Sequence, residues 1–228
     1  MIIYIVLSLL YVGMLLFIKP SPKSFRDKPL TLKENFLAIK GSLVLGLLLL
    51  TVHLLISDFN FLELDEKVYL SLALHHINDD NFLISQFFTN IMVHQNLLHL
   101  LSNLSLIGLL SVYERRVGLG RYVVVVLVSG LFSGLSIFFY EVGMVSSGIS
   151  GVVFGLGAVF FTDEENLTYK DWLYAIFIFL LLAIMLSYRD YYELQKMRGI
   201  SFQIDYIGHF LGALGAIAYT RLFSLKRS

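Results

Sequence analysis

The sequence predicts an all-α protein, a polytopic bundle of membrane helices, and three observations carry that prediction. Of 228 residues, 57% are apolar and only 15% charged, against about 25% charged and 45–50% apolar in soluble domains. The apolar residues gather into seven long runs. Nearly all the charge falls in the stretches between them.

A helix rises about 1.5 Å per residue and the hydrocarbon core is about 30 Å thick, so a span takes roughly 20 apolar residues, fewer inside a bundle. Runs at 2–18, 37–57, 97–113, 122–140, 144–161, 172–187 and 206–223 meet or approach that length. The first lacks the basic start and small-residue cleavage site of a signal peptide, and its positive charge follows it. Residues 1–18 are therefore expected to be a retained, additional N-terminal span with the N-terminus outside. Lys19, Lys23, Arg26, Lys28 and Lys33 make 19–36 a basic cytoplasmic loop. Segment 58–96 carries Asp58, Glu63, Asp65, Glu66, Asp79 and Asp80 against Lys67, which places it outside. Alternation then leaves Arg115, Arg116, Arg121, Lys170, Arg221 and a cytoplasmic tail at 224–228 inside, with only Lys67, Arg189, Lys196 and Arg198 on the other face. Segment 58–96 is long for a connection, and Phe59, Phe61, Phe87 and Phe88 predict structure lying in the membrane interface.

Composition also excludes chemistry. Basic and acidic residues number 17 each, so there is no positive excess to neutralise nucleic-acid phosphates. The absence of cysteine removes disulfides, Cys-ligated metal and thiol nucleophiles. His75, His76, His94 and His99 do not form a His-Glu-x-x-His motif, so neither a metal nor a cofactor is expected. Reaction chemistry has to run on Ser, His or carboxylates.

Polar residues inside membrane spans are costly and are functional candidates for that reason. His99 and Asn103 stand in the third run, Ser150 in the fifth and His209 in the seventh, each near the end expected to face outward. The i, i+4 spacing of His99 and Asn103 puts both on one helix face, where they can donate to a single oxygen. Such a pair can equally serve as interhelical glue. Ser150 lies in Gly148-Ile149-Ser150-Gly151, whose glycines allow close backbone approach; taken alone, the motif fits a packing surface as well as a nucleophile. His209 opens a face with Gly212 and Gly215 suited to packing against Gly151, Gly155 and Gly157, which would bring Ser150 and His209 into hydrogen-bond range. Phe154, four residues after Ser150, is placed to stack on the His209 ring. Asp205, one turn before His209, is expected to be a helix N-cap.

Together these residues resemble the rhomboid family of intramembrane serine proteases. The resemblance rests on His99-x-x-x-Asn103, Glu114-x-x-x-Gly118-x-x-Arg121-Tyr122, Gly148-x-Ser150-Gly151 and Gly208-His209-x-x-Gly212, in the family's order over 37–223, a six-span core. His94 falls at the family's usual second histidine position. The Trp-Arg pair that many members carry in the first outer loop is absent, and Ser85-Gln86-Phe87-Phe88 stands there. Phe154 occupies a site where Tyr is common, and Ala216 one where Gly is frequent. The resemblance implies a Ser150–His209 dyad without an orienting carboxylate, an oxyanion site of His99, Asn103 and the Ser150 N–H, and support from Gly148, Gly151, Phe154, His94 and Gly212. It implies transmembrane protein substrates, cut near their extracytoplasmic end within the lipid bilayer; a bacterial cytoplasmic membrane is expected because the chain is compact and shows no transit peptide. The alternative is an inactive rhomboid-like protein that binds transmembrane clients. A transporter with a midplane polar site fits less well, because the polar groups cluster toward one face.

Overall fold

The computed structural model describes residues 2–17, 30–59, 61, 64–163, 168–170, 172–174, 176–177, 179–181, 184 and 205–223. The uninterrupted apolar run at the start of the chain forms α1 (Ile2–Phe17). A capping box opens α2 (Leu32–Ala38): the Thr31 hydroxyl accepts from the Glu34 N–H, and the Glu34 carboxylate accepts from the Thr31 N–H at 2.8 Å. A 68° bend separates α2 from α3 (Lys40–Ile56). Segment 58–96 is structured, with α4 (Glu66–Leu72) capped by Asp65, β1 (Leu74–His75), α5 (Gln86–Thr89) and a 3₁₀ turn at Asn90–Met92. Then follow α6 (Leu97–Val117), α7 (Leu119–Gly134), a 3₁₀ turn at Leu135–Phe139, β2 (Val145–Ser146), α8 (Ser150–Thr162) and α9 (Tyr206–Leu222). The described residues between 169 and 184 are helical, with Tyr169 and Lys170 opening the run.

Two helices, Leu97–Val117 and Leu119–Phe139, are long and apolar enough to cross a membrane, and a third qualifies if the bent pair α2–α3 is one span. Ile2–Phe17, Ser150–Thr162 and Trp172–Leu181 are shorter apolar helices. Three expected boundaries move. The run 97–113 extends to Val117, because Glu114 and Arg115 find partners inside the protein and need not leave the helix. The run 122–140 begins earlier, at Leu119. The run 144–161 becomes helical only at Ser150, since Val145–Ser146 pairs with β1 and Gly148 adopts φ +104°, a conformation favoured only by glycine. Parts of the run 172–187, most of the basic loop 19–36 and the tail 224–228 lie outside the described residues.

Apolar residues fill the core and also cover much of the surface, and polar residues are buried among them. Ile2, Leu9, Val44, Leu109 and Leu214 are exposed, whereas Asn35, Ser42, Asn103, Glu114, Arg115 and Ser129 are buried. Lipid-facing apolar surface around a polar-containing interior is the arrangement a bilayer favours. The chain is a multi-pass integral membrane protein.

At one end of the bundle, charges sew the helices together. The Glu114 carboxylate of α6 accepts from the N–H groups of Gly41 (2.6 Å) and Ser42 (2.8 Å) and from the Ser42 hydroxyl, so it caps the first turn of α3. Arg115 donates to Asn35, Ser111 and the carbonyl of Leu15, closing the last turn of α1. Arg121 of α7 grips Asp163 through two 2.8 Å hydrogen bonds, and the Tyr113 hydroxyl joins the same carboxylate at 2.7 Å. The motif from Glu114 to Tyr122 thus supplies the clamps of this end. Above them, α1 sits in notches: a Cβ on Gly46 would run into the Tyr11 ring, and one on Gly108 into Met14.

Segment 58–96 is anchored by Gln86, buried within Ser85-Gln86-Phe87-Phe88. Its amide donates to the carbonyls of Ser71 and Asn81, and its carbonyl accepts from the N–H groups of His75 and Leu83. One neutral side chain thereby ties four points of the loop. Phe87 packs on Gly134 of α7, where there is no room for a Cβ.

Candidate active site

Three helix N-termini and one loop build the site. α8 and α9 cross by backbone contact at glycine: a Cβ on Gly212 would collide with the Gly151 carbonyl, and one on Gly155 would lie 3.0 Å from the Gly212 carbonyl. Ser133 and Ser129 of α7 fill the space over Gly151 and Gly155. This close approach brings Ser150, the first residue of α8, to His209, in the first turn of α9. Their Oγ and Nε2 are 2.8 Å apart. The Phe154 ring stacks on the imidazole at 4.3 Å and 13°, which fixes the plane of His209, and Phe179 packs edge-on against Phe154.

The loop before Ser150 is held from several sides. The Gly148 N–H donates to the Asn90 carbonyl at 2.9 Å, and the Ile149 N–H points at His94 Nε2 at 3.4 Å. Leu74 pairs with Ser146 in the β1–β2 ladder, and Tyr69 shares a 2.7 Å hydrogen bond with Ser147. Gly148 faces α6: a Cβ there would lie 2.7 Å from His99 Cε1. His94 and His99 meet edge to face at 5.0 Å.

His99 and Asn103 project from the first turns of α6, whose N-cap Asn96 accepts from the His99 N–H at 2.7 Å. Asn103 is only 1% exposed, and its amide nitrogen and oxygen have no hydrogen-bond partner among the described residues. A buried amide left unpaired is costly. Ser150, as the first helical residue, has a backbone N–H outside the intrahelical ladder, at the positive end of α8. Asp205 caps α9 through the Gly208 N–H at 2.6 Å. The arrangement supplies a hydroxyl against a base, and donors on a neighbouring helix.

All nine residues picked out from the sequence, Ser150, His209, His99, Asn103, Gly148, Gly151, Phe154, His94 and Gly212, lie in this one region. Ser150 opens its helix directly after turn and strand, which fill the chain from Glu141 to Ile149. Asn90 and Tyr69 escaped sequence reasoning, as did the anchoring network of Gln86 and the strand pairing of Ser146. A long amide inside an otherwise apolar stretch was the available signal for Gln86. No group of three or more His, Cys, Asp or Glu suited to a metal occurs among the described residues.

The chain belongs to the rhomboid family, whose domain model matches residues 82–226. That match begins after α4, so α1 to α4 lie outside it. No curated protein matches the chain. A rhomboid domain defines either an intramembrane serine protease acting on transmembrane substrates or an inactive homologue of one.

Proposed function

We propose that this chain is an active serine endopeptidase that cleaves transmembrane segments of other membrane proteins. The observation that carries the reading is the 2.8 Å contact between Ser150 Oγ and His209 Nε2. A serine hydroxyl is a weak nucleophile until a base takes its proton. His209 removes that proton as Ser150 attacks the scissile carbonyl, then returns it to the leaving amine; water reverses the sequence on the acyl-enzyme. Negative charge develops on the carbonyl oxygen during attack. The Ser150 N–H and the side chains of His99 and Asn103 are the donors for it, and the unpaired Asn103 amide is ready without reorganisation.

The reading includes six spans over 37–223 and one additional span at 1–18, with 19–36 and 224–228 cytoplasmic. The site then opens to the extracytoplasmic side, in a bacterial cytoplasmic membrane. Because the chain has no cysteine, Glu141→Cys and Gly120→Cys report on this directly. The first should react with an impermeant thiol reagent on intact cells, the second only after permeabilisation. The opposite pattern inverts the topology.

Activity is tested with purified protein in liposomes, a model transmembrane substrate and a fluorophosphonate probe. Ser150→Ala and His209→Ala should each lower cleavage by at least about 10⁴-fold, and the double variant should be no slower than either, because the pair acts as one unit. Neither cleavage nor labelling by folded wild-type protein would favour the inactive, client-binding alternative.

A further inference from the structure

Asp205 does more than cap a helix. Its Oδ1 accepts from the Gly208 N–H (2.6 Å) and the Tyr140 hydroxyl (2.8 Å), and its Oδ2 from the hydroxyls of Ser136 (2.6 Å) and Ser146 (3.0 Å). The donors come from three places: the first turn of α9, the 3₁₀ turn and residue that end the α7 span, and strand β2. The Asp205 carbonyl also accepts from the His209 N–H at 3.0 Å. Gly208 leaves the carboxylate its room, since a Cβ there would run into it. Ser146 lies four residues before Ser150 on a chain with no helical rigidity of its own, and Asp205 lies four before His209 on a helix.

We infer that Asp205 is a positioning residue that sets the Ser150 and His209 backbones in one frame through its bond to Ser146. This rests on the dyad reading above. A carboxylate can serve four donors at once because each oxygen has two lone pairs. An Asn side chain keeps one oxygen for the cap but turns a neutral NH₂ toward the remaining hydroxyls, so the α9 cap survives while the charge-assisted tie to β2 is reduced to a weaker, reversed one. Neither residue touches the reacting atoms. Their effect is transmitted through geometry, where a displacement of about 1 Å can cost on the order of 10²-fold in rate.

The test uses full-length protein in liposomes, with fluorophosphonate labelling of Ser150 and steady-state cleavage normalised to folded protein. Asp205→Asn should lower kcat and the labelling rate by about 10- to 100-fold with KM within about twofold. Ser146→Ala, which leaves the α9 cap intact, should lower both by about tenfold with the same KM. Ser146→Ala in the Asp205→Asn background should add little, because both act on one tie. If Asp205→Asn does not fold, Ser146→Ala decides alone. Wild-type labelling rates in folded Ser146→Ala overturn the positioning role and leave the dyad intact; failure of wild-type protein to label at Ser150 overturns the dyad reading and this inference with it.

Discussion

The Glu114–Asp163 end of the bundle and the Ser150–His209 end both bury polar groups, but they finish their hydrogen bonds differently. At the first, both oxygens of Glu114 and both of Asp163 accept bonds, and Arg115 and Arg121 each spend several donors on neighbours. At the second, the Asn103 amide is buried with nothing to bind among the described residues, and the Ser150 N–H stands outside its helix ladder. The completed network at the first end fastens helices, and the reading proposed above gives the open Asn103 amide to a substrate oxygen. Damage at the two ends should therefore register in different measurements.

The largest effect is expected from Arg121→Ala. It leaves the Asp163 carboxylate in a buried setting with Tyr113 as its remaining side-chain donor, and removing one partner of a buried pair typically costs about 3–5 kcal/mol. Thermal unfolding in detergent should shift strongly downward, while the folded fraction labels at Ser150 at the wild-type rate. Slow labelling by folded Arg121→Ala protein would break the separation of roles.

Asn103→Ala should do the reverse. Loss of one oxyanion donor costs about 10²–10³ in kcat, and an amide without partners leaves no bond behind to weaken the fold. If instead the unfolding midpoint falls and the folded protein keeps its kcat, Asn103 belongs with the structural residues.

Gln86→Ala sharpens the contrast, because Gln86 lies on the dyad side yet has a completed network. Its removal strands backbone groups of Ser71, His75, Asn81 and Leu83, at about 1–3 kcal/mol. Amide exchange should accelerate across 71–86 with kcat preserved. The smallest effect belongs to Phe154→Leu, which keeps apolar volume but loses the ring stacked on His209. An aromatic pair contributes about 0.5–1.5 kcal/mol, so kcat should fall no more than about tenfold, with KM unchanged.

Sequence patterns reached the helices and the site residues by different routes. Long apolar runs identify spans because lipid imposes that length on any crossing helix. Ser150, His209, His99 and Asn103 stood out because polar side chains are rare in such runs. The start of α8 did not stand out: Val145-Ser146-Ser147-Gly148-Ile149 is apolar enough to read as helix, and only pairing with Leu74-His75, some seventy residues away, makes it strand and turn. Partnerships between distant residues leave no local periodicity. For that reason Gln86 was visible as a departure from the family's Trp-Arg pair, while the loop it organises was not. Asp205 was legible as a cap from its place before His209, but its ties to Tyr140 and Ser146 come from loops that only the folded chain brings together.

The latch on α1 has a consequence for how the protein is made. Arg115 closes the last turn of α1 by donating to Leu15, 100 residues earlier, and Asn35 reaches Leu15 and Leu16. At translation rates of about 5–20 residues per second, the arginine follows its acceptor by roughly 5–20 s. Asn35 and the Gly46 notch are synthesised early in that interval, the Gly108 notch and the guanidinium only at its end. Seating of α1 therefore begins on α3 and is completed only when α6 arrives, even though the residues of α1 precede the rest of the bundle.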